Sequence, residues 1–234
     1  MSSKKDIFGQ ALYDYWHRQN PQDITTWTQL TEAETLPVAY LFRSFDEMPL
    51  PEQVALKTAK GKILDVGAGS GTHSLCLQKM GKEVTALEIS EISCRLMRER
   101  GVKNVIQADF FTFSGQKFDT ILFLMNGIGI VEKAIYAGKL FDKLKDLLLP
   151  DGQALIHSSD LKYLYETAAG YQMPQEGYYG DVKFFVQYKG EIQSFDWTYI
   201  DEQTLETFAY QHGFAAKKIV ESEYGDFLMK ITFL

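Results

Sequence analysis

The chain has 234 residues, 45% of them hydrophobic, and carries 31 acidic against 24 basic side chains for a net charge of −7. That is enough apolar material for one large domain, and the wrong balance for a protein whose main affinity comes from neutralising phosphates. No stretch reaches the roughly 18 consecutive apolar residues of a membrane span, and the opening "MSSKKDIFGQ" lacks the long apolar core of a secretory signal.

Residues 6–19, "DIFGQALYDYWHRQ", read as an aromatic-rich helix ended by Asn20-Pro21. Over 31–60, Pro37, Pro49 and Pro51 interrupt helix-like pieces, which predicts short helices joined by turns. From Lys62 the pattern becomes regular. Strand-like runs at 62–66, 83–88, 104–108, 118–124 and 152–157 alternate with helix-like stretches at 71–80, 91–100 and 138–148. The last helix puts Leu140, Phe141, Leu144, Leu147 and Leu148 on one face and stops at a tight turn, "PDG". Such alternation implies parallel βαβ units, hence a doubly wound, mostly parallel α/β sheet. After His157 a partly helical excursion (158–181) leads to a hairpin over 182–200 that turns near Lys189-Gly190. A helix over 201–213 and two strands around Gly225-Asp226 end the chain. Residues 1–60 are thus expected to form an N-terminal helical lid segment on a main domain at 61–234. Within that domain, 158–200 is a substrate-side insertion before the last helix.

The basic pairs Lys4-Lys5, Arg98 with Arg100, and Lys217-Lys218 are short and scattered, and each reads as solvated surface. Cys76 and Cys94 fall in helical stretches and read as reduced packing residues of a cytoplasmic protein. No Cys/His spacing suggests a metal site.

The segment "KILDVGAGSGTHSLCLQKMGKEVTALEIS" (62–90) carries the chemistry. Its glycines, Gly67, Gly69 and Gly71, are spaced G-x-G-x-G. The dinucleotide fingerprint is G-x-G-x-x-G, and a phosphate-binding P-loop needs Gly-Lys-Ser/Thr after four intervening residues, so neither pattern is met. Asp65 stands inside an otherwise apolar strand, where a carboxylate is costly unless donors or a cationic ligand reach it. Glu88 closes the next strand beside the same loop, where it can accept from two adjacent ribose hydroxyls. Together these features fit an adenosine-containing ligand better than a bare phosphate.

At this point the chain resembles the class I S-adenosylmethionine-dependent methyltransferases, over roughly residues 60–157 and more loosely over the last helix and strand pair. "ILDVGAGSG" looks like the family's first motif, Glu88 falls on its ribose-binding acid, and Ile89 on the residue against adenine. Asp109 in "QADFF", with Phe110 beside it, falls on the acid near the adenine amino group. "FDTILFLMNGIGI", which contains Asn126, falls on the fourth-strand motif, and "LLLPDGQALI" on the following turn and strand. The resemblance implies a seven-stranded Rossmann-like sheet, S-adenosyl-L-methionine as cofactor, and cofactor contacts at Asp65, Gly67, Ala68, Gly69, Gly71, Glu88, Ile89, Asp109, Phe110 and Asn126. This cofactor has no phosphate, so the loop needs close backbone approach, which glycines permit. Asp65 and the Gly67 carbonyl could accept from its ammonium, and the helix N-terminus at Gly71-Thr72 could attract its carboxylate. His73 lies near that end or on the helix surface.

The expected activity is methyl transfer to a small-molecule acceptor. A sulfonium already supplies the leaving group, so the main task is in-line placement, and a general base is needed only if the acceptor must lose a proton. No catalytic residue can therefore be read from the chain, and His17 and His157 have no identified carboxylate partner. Tyr13, Tyr15 and Trp16, with segment 158–200, are candidates for a lid and substrate wall, which suggests an apolar or aromatic-bearing acceptor. The aromatic run "GYYGDVKFFVQY" with Trp197 either covers the substrate or forms a sheet face. "LMNGIG" departs from the family's Asn/Asp-Pro-Pro-aromatic motif, and with the acidic charge this disfavours nucleic acid as acceptor. Two alternatives use the same residues. One is a nicotinamide dinucleotide-dependent oxidoreductase, against which the missing x-x-G spacing and the "LLLPDG" turn count. The other is a cofactor-binding module without transfer activity. Oligomeric state is not legible.

Overall fold

The computed structural model describes residues 6–234, so Lys4 and Lys5 fall outside it. Helix α1 (Ile7–Trp16) is capped by Asp6, whose Oδ1 accepts from Gly9 N at 2.8 Å. It ends before residue 19 because Arg18 and Asn20 both turn left-handed, at φ 55° and 47°. Two strands follow in place of the expected all-helical segment, β1 (Ile24–Thr28) and β2 (Glu34–Leu36). The β-branched run "ITTWT" suits an extended backbone, but its partner lies more than 150 residues away: Thr28 pairs with Phe184. The expected short helices over 31–60 are two 3-10 turns, Val38–Phe42 and Phe45–Glu47, and helix α2 (Leu50–Thr58), with Pro51 in its first turn.

From Lys62 the alternation is regular: β3 (Lys62–Val66), α3 (Thr72–Lys79), β4 (Glu83–Glu88), α4 (Glu91–Glu99), β5 (Val105–Gln107), β6 (Phe118–Phe123), α5 (Ala137–Leu147) and β7 (Leu148–Ser159). "PDG" is not a simple turn between helix and strand. Strand β7 starts at Leu148 opposite Phe118, loops out over 149–152, and resumes with Gln153 opposite Thr120. Gly152 permits this, since a Cβ there would stand 2.8 Å from the Leu149 carbonyl oxygen.

Two short strands, β8 (Glu166–Thr167) and β9 (Gly170–Tyr171), form a small hairpin, followed by the long hairpin β10 (Asp181–Tyr188) and β11 (Glu191–Thr198). Lys189 and Gly190 both have positive φ, 49° and 81°, as a two-residue hairpin turn of the primed type requires. Helix α6 (Glu202–Gln211), β12 (Phe214–Glu221) and β13 (Asp226–Phe233) complete the described chain. The central seven-stranded sheet has the order β12-β13-β7-β6-β3-β4-β5, with β13 antiparallel to both neighbours and β3 to β7 parallel. A second, antiparallel sheet, β11-β10-β1-β2, joins the N-terminal segment to the 182–198 hairpin. None of the described helices is long and apolar enough to cross a membrane.

Both faces of the central sheet are covered. Leu140, Phe141 and Leu144 of α5 and Leu205 of α6 pack on one face against Ile121, Phe123 and Ile156. On the other face, Leu56 of α2 and Leu77 of α3 pack against Ile63, Leu122 and Leu155. A third cluster seats Ile7, Ala11 and Leu12 of α1 against Ile24, Val186 and Leu96. Where β3 gives way to α3, Gly71 has φ 79°, and a Cβ there would stand 2.8 Å from Met97 Cγ and 2.9 Å from Val102 Cγ2. Gly71→Ala is therefore expected to lose about 1–2 kcal/mol from the left-handed backbone alone, with the overlap adding to it. Chemical denaturation measures this; a loss below about 0.5 kcal/mol would contradict the backbone cost as well as the overlap.

Candidate functional site

The carboxyl ends of β3, β4 and β5 open into a cavity of about 410 Å³, in the crevice where open parallel sheets bind ligands. Gly67, Glu88, Ile89, Asp109 and Phe110 line one side, and Ile130, Val131, Glu132, Tyr136 and Lys139 the other. Gly67 has φ 68°, and nothing lies within 4 Å of where its Cβ would stand, so the backbone is bare to the cavity. The loop's own donors are occupied: Gly67 N and Ala68 N both donate to the Leu87 carbonyl, at 2.9 and 3.2 Å.

Glu88 is the organising acid. Its Oε2 accepts from Gly69 N at 2.9 Å, and its Oε1 from Ile89 N at 2.8 Å and Ser90 N at 2.9 Å. A carboxylate offers about four lone-pair sites; three are used, so one remains, on Oε2. The arrangement leaves room for a further hydroxyl donor there. Burial pushes this carboxyl above the ordinary range, although the three N–H groups oppose it. Asp109 Oδ1 accepts from Phe111 N (2.9 Å) and Thr112 N (3.2 Å), so it does cap a turn. Neither of these bonds engages its Oδ2. The Phe110 ring meets Phe111 and Phe123 edge-on, with centroids 5.3 and 5.2 Å away, so it is both core and cavity wall.

The other five predicted positions do not line this cavity. Gly71 packs on α4, and Ala68 is buried with Ala86, Cys94 and Met97. Gly69 meets Glu88 through its N–H. Asp65 lies buried behind the loop, where burial pushes its carboxyl up and Ser74 Oγ donates to its Oδ2 at 2.7 Å. Beside it stands a buried ionic cluster that no local sequence pattern announces. Glu52 Oε2 takes a guanidinium nitrogen of Arg43 and lies 2.5 Å from His73 Nε2. Burial alone would raise the Glu52 carboxyl, but the His73 contact and the Arg43 charge hold it below the usual carboxylate value. Arg43 belongs to the segment folded over the glycine loop, where the Leu41 carbonyl accepts from Ser70 Oγ and Thr72 Oγ1. Arg100 is not solvated as expected. It donates to the Ser70 carbonyl and covers the Phe42 ring at 4.5 Å, and burial lowers its pKa to about 10.

Asn126, at the end of β6, belongs to a different array. Its backbone N–H donates to His157 Nδ1 at 3.3 Å, and Ser159 Oγ donates to its Oδ1 at 2.9 Å. His157 Nε2 lies 2.8 Å from Asp226 Oδ2. That hydrogen bond is the main reason the Asp226 carboxyl sits below its ordinary range. His157 thus has the carboxylate partner that no nearby residue announced. His17 also has one, Glu99 at 2.9 Å, but there it stacks on Tyr13 at the end of α1.

The aromatic run is a sheet face: Phe184 stacks on Phe195, which meets Trp197 edge-on. Trp197 fills the space beside Gly129 so closely that a Cβ there would overlap its ring. Tyr178 and Tyr179 are tied by their hydroxyls to Asp201 (2.6 Å) and Asp160 (2.7 Å). Tyr15 and Trp16 pack on Phe42, and so border the glycine loop. Cys76 and Cys94 are buried and unpaired.

A family model described as a methyltransferase domain matches residues 63–152. The chain is 43% identical to a S-adenosylmethionine-dependent methyltransferase from Bacteroides fragilis, solved in complex with S-adenosyl-L-homocysteine. That similarity covers 100% of this chain and 97% of the other, with a TM-score of 0.91. An uncharacterized methyltransferase of Staphylococcus carnosus is 29% identical over 147 residues, 62% of this chain and just under two thirds (66%) of the relative. CalS10 from Micromonospora echinaspora, an amino pentose methyltransferase solved with the cofactor bound, has a TM-score of 0.52 at 17% identity, over 78% of this chain and 87% of that one; at that identity the likeness is one of fold.

Proposed function

The chain belongs to the S-adenosylmethionine-dependent methyltransferases, and from that premise we propose that it moves a methyl group to a small-molecule acceptor, with the cofactor seated in the cavity between β3–β5 and the loop after β6. The observation that carries the placement is convergence. Gly67 and Glu88, marked by the glycine loop and the strand end, line one cavity with Ile89, Asp109 and Phe110, the positions the resemblance implies, and Glu88 Oε2 keeps acceptor capacity there. Glu88 would take a ribose hydroxyl there, and Asp109 would accept from the adenine amino group. Phe110, Ile130 and Val131 exclude water around the ring. The Gly67 carbonyl would hold the methionine end, with Asp65 buried behind the loop and Ala68, Gly69 and Gly71 supporting the turn from outside the cavity. Asn126 stands at the junction with the acceptor.

When bound, S-adenosylmethionine supplies a methyl group already activated on a sulfonium. The chain's own contribution is placement in a water-poor site. Residues 6–60 and segment 158–200, joined by the pairing of β1 with β10, would form the substrate side. The aromatic content of these segments favours an apolar or aromatic-bearing acceptor, although Phe184 and Phe195 themselves pack on α1. The acidic net charge disfavours nucleic acid, and two unpaired cysteines suit a cytoplasmic protein.

Parallel calorimetric titrations with S-adenosylmethionine, S-adenosylhomocysteine and NAD are expected to show micromolar binding of the two sulfur compounds and none of NAD. Binding of NAD alone would overturn the site assignment. Mass spectrometry over a panel of aromatic amines, phenols and amino sugars then tests transfer. Tight cofactor binding with no product across the panel would favour a binding module.

A further inference from the structure

The turn that ends β6 is held in an unfavourable backbone conformation. Met125 and Asn126 are consecutive non-glycine residues at φ 53° and 57°. Asn tolerates the left-handed region; Met does not favour it, and such a pair persists only where its surroundings over-determine it. Three bonds do so here. Gly129 N donates to the Asn126 carbonyl at 3.1 Å, Ser159 Oγ donates to Asn126 Oδ1, and Asn126 N donates to His157 Nδ1.

The last of these fixes the state of the ring. A backbone N–H can only donate, so Nδ1 is unprotonated, and the proton of the neutral ring sits on Nε2, where Asp226 accepts it. Both ring nitrogens are engaged and the residue is 95% buried, so His157 is not placed to take a proton from a substrate. It is placed to hold the turn. The chain that leaves Asn126 forms the 3-10 turn Gly127–Val131, and Ile130, Val131 and Glu132 are one wall of the cavity.

We propose that His157 is a positioning residue for cofactor binding: fixed by Asp226, it clamps the Asn126 peptide and so sets the wall formed by Ile130–Glu132. The inference rests on reading that cavity as the S-adenosylmethionine site.

The test uses the full chain with His157→Phe, which fills the space without an acceptor, and His157→Asn, whose side-chain oxygen can stand where Nδ1 does. Titrated with S-adenosylhomocysteine, His157→Phe is expected to bind about tenfold more weakly, from the lost bond and the relaxed turn. His157→Asn should recover most of that loss. In the unliganded wild type, nitrogen-15 spectra of labelled histidine should report a neutral ring protonated on Nε2. Equal affinities of wild type and His157→Phe, or equal weakness of the two variants, overturns the proposal, as does a ring protonated on Nδ1. If the wild type binds no S-adenosylhomocysteine, the cavity reading fails instead, and the ring spectra still decide whether the clamp exists.

Discussion

Glu88→Ala is expected to weaken the binding of S-adenosylmethionine and S-adenosylhomocysteine by about tenfold to a hundredfold, the largest effect on affinity expected from a single change at the cavity. The magnitude follows from one hydrogen bond to an ionised acceptor, worth about 1.5–3 kcal/mol, since only one lone pair of the carboxylate is open to a ribose hydroxyl. Glu88→Gln keeps an acceptor oxygen but loses the charge, and should fall between alanine and wild type. The alanine variant also releases Gly69, Ile89 and Ser90 N–H groups, which water can reach beside half-exposed Glu88. Calorimetry with either compound measures the effect, and thermal melting without ligand separates it from a loose loop. Unchanged affinity would remove Glu88 from the ribose site and leave the cavity without its organising acid.

Glu52→Ala should cost about 3–5 kcal/mol of stability, because it leaves the Arg43 guanidinium buried without its counter-charge. For a chain of this size that corresponds to a fall in Tm of about 10 °C. Removing both charges with Arg43→Met and Glu52→Leu should restore part of the loss, since a packed apolar pair avoids the desolvation that either charge alone suffers. The dependence on pH has a definite sign. The folded carboxyl lies below its ordinary 4.5, so its ionic contribution is complete above that value and disappears as pH falls through the lowered one. Wild type and Glu52→Ala should therefore differ most at neutral pH and converge in acid. A loss under about 1 kcal/mol at pH 7, or a gap that widens in acid, would contradict this account.

What could be read from the chain, and what could not, divides by the range of the interaction. Strands β3 to β6 and helices α3 to α5 announce themselves because their apolar periods and their glycines act within a few residues. Glu88 stands out for the same reason, since it closes a strand-like run at the edge where ligands sit, whereas Asp109 is marked only by the family resemblance. β1 and β2 were not, because five residues of β-branched character become a strand only beside β10. Glu52 looked like any acid in a short helix. Its role comes from Arg43 and His73, which three separate elements bring together. His157 and Asp226 lie 69 residues apart and meet only because β13 runs antiparallel beside β7. The three backbone donors on Glu88 are not legible in the sequence, since they depend on how the loop turns back.

The position of β13 bears on how the chain comes together during synthesis. It lies between β7 and β12, yet it follows both in the chain. Until it leaves the ribosome, β7 presents an open edge at residues 153–159 and β12 has no place in the sheet. That edge includes His157 and Ser158, so the nascent protein exposes the middle of its future sheet as an unpaired strand, the arrangement most prone to wrong association. The pairing of β1 with β10 adds a second long wait, for the N-terminal strands. A growing chain of this topology can complete helices early, but it closes both sheets late, and non-local closure is the slow step of folding.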